Sequence, residues 1–116
     1  MDRLLGMRAS TQVMLATLPV QDAAESAVTL SPNDPMIHVM AARVLEMEGQ
    51  RASALTLYEE ATRLGPEHAL THHALGLYWF DPQGNMADAR HSWQRYLELQ
   101  PNGDRARRTR ARMGRR

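Results

Sequence analysis

The residues whose types and spacing could support chemistry are five histidines and a C-terminal run of arginines. His68 and His72 are four positions apart, which on a helix would place both imidazoles on one face, as in half of a zinc site. His73 would point about 100° away from His72, and Glu67 is the only acid beside them. Two ligands do not complete a zinc site, so the sequence predicts no bound metal. His38 and His72 are instead predicted to pack between helices.

The sequence also lacks the motifs of the common enzyme classes. It has no cysteine, which excludes thiolate metal sites, disulfides and cysteine nucleophiles. It has no Gly-rich phosphate loop and no nucleophile elbow, and its acidic residues are scattered along the predicted helix exteriors. We therefore expect a protein that is not an enzyme and that uses no cofactor.

The arginines are concentrated at the C-terminus. All fourteen basic residues are Arg, and residues 1–100 hold seven of them with twelve acids, a net charge of −5. The last sixteen residues hold the other seven with one acid, a net charge of +6. One interpretation is a solvated capping helix with Ala106, Ala111 and Met113 packed inward. The alternative is an acidic partner bound by the tail arginines: Arg105, Arg107, Arg108, Arg110 and Arg112. Nucleic-acid binding is disfavoured, because no aromatic residue is interleaved for base stacking.

Length and composition indicate one domain with room for a single core. The chain has 116 residues, of which 43% are apolar, and only six of these are aromatic. Leu, Ala, Met and Val must therefore fill the core, which suits close helix packing. No run approaches the roughly 18 apolar residues that cross a bilayer, and residues 1–23 make a poor signal peptide. The expected location is cytoplasmic.

A repeat supplies the elements that position these residues. Pro32, Pro66 and Pro101 each close an apolar run, at intervals of 34 and 35 residues. Two further sets of positions recur in phase with the prolines. Ala54, Tyr58 and Ala61 precede the second proline at the same spacings as Ala89, Trp93 and Tyr96 precede the third. Upstream of these, His38, Ala41, Ala42 and Leu45 correspond to His72, Leu75, Gly76 and Trp79.

This pattern resembles the tetratricopeptide-repeat family, in which small, aromatic and proline positions recur every 34 residues. The resemblance implies an all-α fold: a right-handed superhelical stack of antiparallel helix pairs, an α-solenoid of about seven helices. One domain would span 1–116, with repeats at about 1–34, 35–68 and 69–102 and a capping helix or tail at 103–116. Helices are predicted near 3–15, 19–30, 34–48, 51–64, 68–80, 86–99 and 104–113.

The family's concave face, lined mostly by the first helix of each pair, is the expected partner-binding groove. The groove residues predicted from the second and third repeats are Met36, Val39, Arg43, Glu46, Met47, Leu70, His73, Leu77 and Phe80. This mostly apolar set favours an adaptor, scaffold or chaperone-like module that binds a peptide or an amphipathic helix. No basic clamp for a chaperone's carboxyl terminus occupies the helices of the groove.

The sequence also allows two alternatives to a partner-binding groove. Some groove residues could simply be core. The degenerate first repeat could also leave an apolar solenoid end that pairs with a second copy, since such ends need capping. The residues of that edge are Leu4, Leu5, Val13, Met14 and Leu15.

Overall fold

The computed structural model describes residues 20–81 and 84–114, with side chains described from residue 22. Within these ranges the chain forms six helices and no strand. The helices are α1 (Val20–Leu30), α2 (Pro35–Met47), α3 (Arg51–Leu64), α4 (Ala69–Phe80), α5 (Met86–Leu99) and α6 (Asp104–Met113). Their ends agree with the predicted ones to within one residue. The predicted helix near 3–15 lies outside the described residues.

Local signals account for where the helices begin and end. Asp34 caps α2 by accepting a hydrogen bond from the Met36 amide at 2.9 Å, and Pro35 occupies the first turn, where no amide donor is needed. Asn85 caps α5 by accepting from the Asp88 amide at 3.2 Å. Between α2 and α3 the backbone turns at Gly49, whose φ of +80° would strain any residue with a side chain.

Each helix packs against the next one along the chain, and α2 also packs against α4. Three residues separate α2 from α3 and five separate α4 from α5. Helices joined by such short turns run antiparallel and form hairpins. The contact between α2 and α4 therefore joins the two hairpins, side by side, through their first helices. No helix in 20–81 or 84–114 has the length and apolar character that crossing a bilayer requires.

Small residues at the helix crossings allow large rings to fill the core. Ala42, Ala54, Ala61 and Ala89 are fully buried. Trp93 is also fully buried, and its indole lies directly over Gly76, where an added Cβ would be 2.1 Å from Nε1. The predicted small and aromatic positions thus bring α4 and α5 into close contact.

Candidate partner-binding surface

The nine predicted groove residues differ widely in exposure. Met47 is 82% exposed, and Arg43 is also exposed on α2. Val39 is only 4% exposed and belongs to the core, so it is not available to a partner. The other six are half-buried: Met36, Glu46, Leu70, His73, Leu77 and Phe80.

Glu46 is already engaged by the protein's own side chains. The Tyr58 hydroxyl donates to Glu46 Oε1 at 2.8 Å, and Arg51 Nη1 lies 3.8 Å from Oε2. Burial, together with the hydrogen bond to Glu46, raises the pKa of Tyr58 well above its usual value of 10. Tyr58 is therefore a neutral donor at physiological pH, and Glu46 serves to join α2 to α3.

Arg51 and Tyr78 form a clasp between the start of α3 and the end of α4. Arg51 Nη2 donates to the Tyr78 carbonyl at 2.7 Å, and the Tyr78 hydroxyl donates to the Arg51 carbonyl at 3.1 Å. The guanidinium carbon also lies 4.2 Å from the centre of the Tyr78 ring, a cation–π distance. Neither residue was singled out from the sequence, because the two are 27 positions apart and follow no local pattern.

His73 is a residue of α4 whose ring contacts α5. Its ring contacts the edge of Tyr96, with centroids 5.1 Å apart. Burial and, after it, the charges of four arginines together lower the pKa of His73 from 6.5 to about 4: Arg105, Arg112, Arg43 and Arg108. The imidazole is consequently neutral at pH 7.

This environment predicts a pH-dependent loss of stability. Between about pH 6.5 and pH 4 the unfolded chain binds a proton that folded His73 resists, so stability falls as the pH falls through that window. Allowing for the partial exposure of the ring, we expect a loss of about 1–2 kcal/mol. Urea unfolding at several pH values should show this loss in the wild type and a smaller one in His73→Phe, which keeps a ring against Tyr96.

The exposed His91 on α5 provides the control for that measurement. His91→Gln should retain the full pH dependence of the wild type. An unchanged difference in stability between pH 7 and pH 4.5 in His73→Phe would contradict the assignment.

Three other histidines have structural partners. His38 and His72 are buried, as predicted, and each contacts a backbone carbonyl oxygen that precedes its helix: His38 Nδ1 with Asp34 and His72 Nε2 with Pro66, both at 2.9 Å. His68 Nδ1 lies 2.7 Å from the Thr71 hydroxyl. Among the described residues no three His, Asp or Glu side chains form a group that could hold a metal ion.

The arginines of α6 divide into two sides. Ala106 and Thr109 face inward and are buried, whereas Ala111, predicted to pack inward, is exposed because it lies on the opposite side of the helix from Thr109. Arg107 pairs with Asp104, and Arg110 Nη2 donates to the Pro101 carbonyl at 2.7 Å.

The remaining arginines of the helix lie on its other flank. Arg105, Arg108 and Arg112 follow an i, i+3, i+7 spacing, which places them within an arc of about 60°. We call these three residues the open side of α6. In the described part of the chain, none of their three guanidiniums takes part in an ion pair or hydrogen bond.

Two exposed apolar residues lie outside the set of groove residues predicted from the sequence. Met40 is 56% exposed and Val44 is 41% exposed. They border an apolar groove of about 210 Å³ between α1 and α2, which is also lined by Ala23, Ala24, Ala27, Ile37 and Ala41. Exposed apolar side chains four positions apart on one helix were the available signal. The alignment to the family pattern instead favoured the neighbouring positions Val39 and Arg43.

The comparisons with known proteins assign no family to the chain. No protein-family model matches it, and no curated protein sequence matches it at a significant level. A functional proposal therefore depends on the geometry of the helices and their surfaces.

Proposed function

We propose that this chain is a tetratricopeptide-like α-solenoid module that binds a segment of another protein. Support for the repeat comes from corresponding positions in the two hairpins. His38 and His72, as well as Ala42 and Gly76, are buried in the first helices. Ala54 and Ala89, followed by Tyr58 and Trp93, are buried in the second helices. Contact between the first helices α2 and α4 is what stacking of such pairs into a right-handed superhelix would require.

The proposed binding surface is the α2–α4 face, which consists of Met36, Arg43 and Met47 on α2 and Leu70, His73, Leu77 and Phe80 on α4. The observation that carries the proposal is that α2 and α4 pack together while Met47 stays 82% exposed and four apolar residues of these two helices stay half-buried. A partly exposed apolar surface of this kind favours contact with a partner over contact with water. A bound helix or extended peptide fits its two-helix width.

This proposal makes the protein an adaptor or a chaperone-like holder without a catalytic role. Its action would consist of placing one protein segment against a rigid pair of hairpins. Met47 and the half-buried Leu70 and Leu77 would contribute adaptable apolar contacts. A cytoplasmic location and the absence of a cofactor belong to the same proposal.

Acidic substitutions on the α2–α4 face are expected to abolish partner binding. Met47→Glu and Leu77→Glu each place a charge where the partner's apolar side chains would be desolvated, which should reduce capture by at least tenfold. The measurement is affinity capture from lysate with quantitative mass spectrometry. Leu30→Glu is the matched control, since Leu30 is 84% exposed on α1, off the proposed face. Equal capture by all four proteins, with unchanged circular dichroism, would disprove the proposal.

Self-association is a second candidate function, supported by the apolar groove between α1 and α2. A second copy could bury Met40 and Val44 there. Light scattering should then give a mass above 13.1 kDa at high concentration, and the double variant Met40→Glu/Val44→Glu should return it to that of one chain. Leu30→Glu should leave the larger mass unchanged. A wild-type protein that remains a single 13.1 kDa species would exclude this candidate.

A further inference from the structure

We infer that the segment bound on the α2–α4 face is acidic, and that its carboxylates are held by Arg43 together with the open side of α6. The inference rests on the proposed function and adds the chemical class of the partner. It also gives a binding role to α6, which the repeat pattern alone predicts to be a capping helix.

The helix α6 carries its arginines on two sides. Buried Ala106 and Thr109 fix the rotation of the helix about its axis. That rotation leaves Arg105, Arg108 and Arg112 on one flank, without partners in the described ranges, while Arg107 and Arg110 are occupied on the other. The three free guanidiniums extend over about 10 Å of helix, because each residue rises about 1.5 Å.

The open side of α6 is related to the α2–α4 face through α5. His73, a residue of the α2–α4 face, contacts Tyr96 on α5 at 5.1 Å, and α5 packs against α6. The three arginines of the open side act electrostatically on the His73 ring, as does Arg43 from α2. Four guanidiniums from two helices therefore act on a residue of the α2–α4 face, and α6 is joined to that face through α5.

The chemistry of these four arginines favours one class of partner. Guanidiniums bind carboxylates through paired hydrogen bonds. An amphipathic helix with Glu at i, i+3 and i+7 would present its carboxylates over the same length of about 10 Å. Its apolar residues would then lie against Leu70 and Leu77.

A nucleic acid fits this surface less well. Residues 1–100 carry a net charge of −5, which repels a long polyanion more strongly than a short acidic segment. The most exposed large apolar residues in the described ranges are Leu30, Met40, Val44 and Met47, none of them aromatic. Base stacking would need exposed rings.

The test uses the full chain and a fluorescent amphipathic helical peptide of about 15 residues, long enough to cross two helices. The peptide carries Glu on one side and Leu on the other. A matched peptide carries Gln in place of Glu, and a single-stranded RNA oligonucleotide is the third probe. We expect the Glu peptide to bind at least tenfold more tightly than the Gln peptide. Its binding should weaken as salt rises from about 0.01 M to about 0.1 M, where the Debye length falls from about 30 Å to about 10 Å.

Variants on the two sides of α6 distinguish peptide binding by the open side from a general effect of the protein's net charge. The triple variant Arg105→Gln/Arg108→Gln/Arg112→Gln should weaken the Glu peptide about tenfold, and adding Arg43→Gln should weaken it further. The control Arg107→Gln/Arg110→Gln removes charge from the other side of the same helix and should have less than a twofold effect. Equal losses in the two sets, no loss in either, or tighter binding of the RNA than of the Glu peptide would overturn the inference.

A final pair of variants distinguishes this inference from the proposed function. Leu70→Ala/Leu77→Ala should weaken both peptides. If these leucine changes weaken binding and the triple arginine change does not, the acidic partner is wrong and the proposed face remains. If only the arginine change weakens binding, recognition of carboxylates is supported and the apolar part of the proposed function is wrong.

Discussion

Replacing Gly76 by alanine is expected to destabilise the protein by about 2–4 kcal/mol, although the same change in an exposed helix usually stabilises by up to about 1 kcal/mol. The added Cβ would lie 2.1 Å from Trp93 Nε1 and 2.2 Å from Cδ1. Both distances are far below contact, and Trp93 is fully buried. Relief therefore requires α4 and α5 to move apart, which loses close packing along the hairpin.

Urea unfolding followed by circular dichroism measures this effect. Gly114→Ala is the matched control, since its Cβ would meet only backbone carbonyl oxygens at 3.6 Å, an ordinary contact distance. We expect the control to stay within about 0.5 kcal/mol of the wild type. A Gly76→Ala protein as stable as the wild type would show that α4 and α5 are not in the close contact described.

Replacing Trp93 by alanine should cost about 3–5 kcal/mol, the range for deleting a buried aromatic side chain. The indole is fully buried and packs at 5.6 Å, centroid to centroid, against Phe80. Its removal leaves a cavity between α4 and α5. For a domain of this size the loss is a large fraction of the total stability, so thermal unfolding should shift strongly or lose cooperativity.

Trp93→Phe is the informative comparison for this prediction. The indole Nε1 is buried and has no hydrogen-bond partner among the described residues. Phenylalanine removes that unsatisfied donor together with part of the ring, so we expect a cost of about 1 kcal/mol. In a double-mutant cycle, Trp93→Phe should also reduce the penalty of Gly76→Ala, because the atom closest to the new Cβ is gone. Additive effects would contradict the packing of these two residues.

The sequence predicted the helices of the described part because their boundaries are local. Asp34 with Pro35, and Gly49 after α2, act within one turn of the helix they begin or end. The small and aromatic positions were predictable for a related reason. Ala54 and Tyr58, like Ala89 and Trp93, recur at one helical spacing and fall on one face. A pattern along the chain was sufficient for these features.

The surface was less predictable, because the exposure of a side chain depends on helices distant in sequence. The family pattern locates a helix face to about one residue, and one residue is a rotation of about 100°. The pattern consequently predicts Val39 in the groove although it lies in the core, and it does not include the exposed Met40 and Val44. Nothing local indicated that Glu46 is engaged by Tyr58. The packing of α6 against α5 is likewise a property of the tertiary structure.

The clasp between Arg51 and Tyr78 has a consequence for how the protein unfolds. In a stack of helix pairs each pair contacts only its neighbours, so units at the ends can open while the rest stays folded. Here the first residue of one helix and the last turn of the next are joined by two hydrogen bonds and a cation–π contact, with Glu46 at the same junction. Opening α4 would break contacts in both hairpins, so we expect α2, α3 and α4 to open together. Among the described helices, α6 packs only against α5. The helix that carries the free arginines is therefore the one whose order a bound partner would increase most.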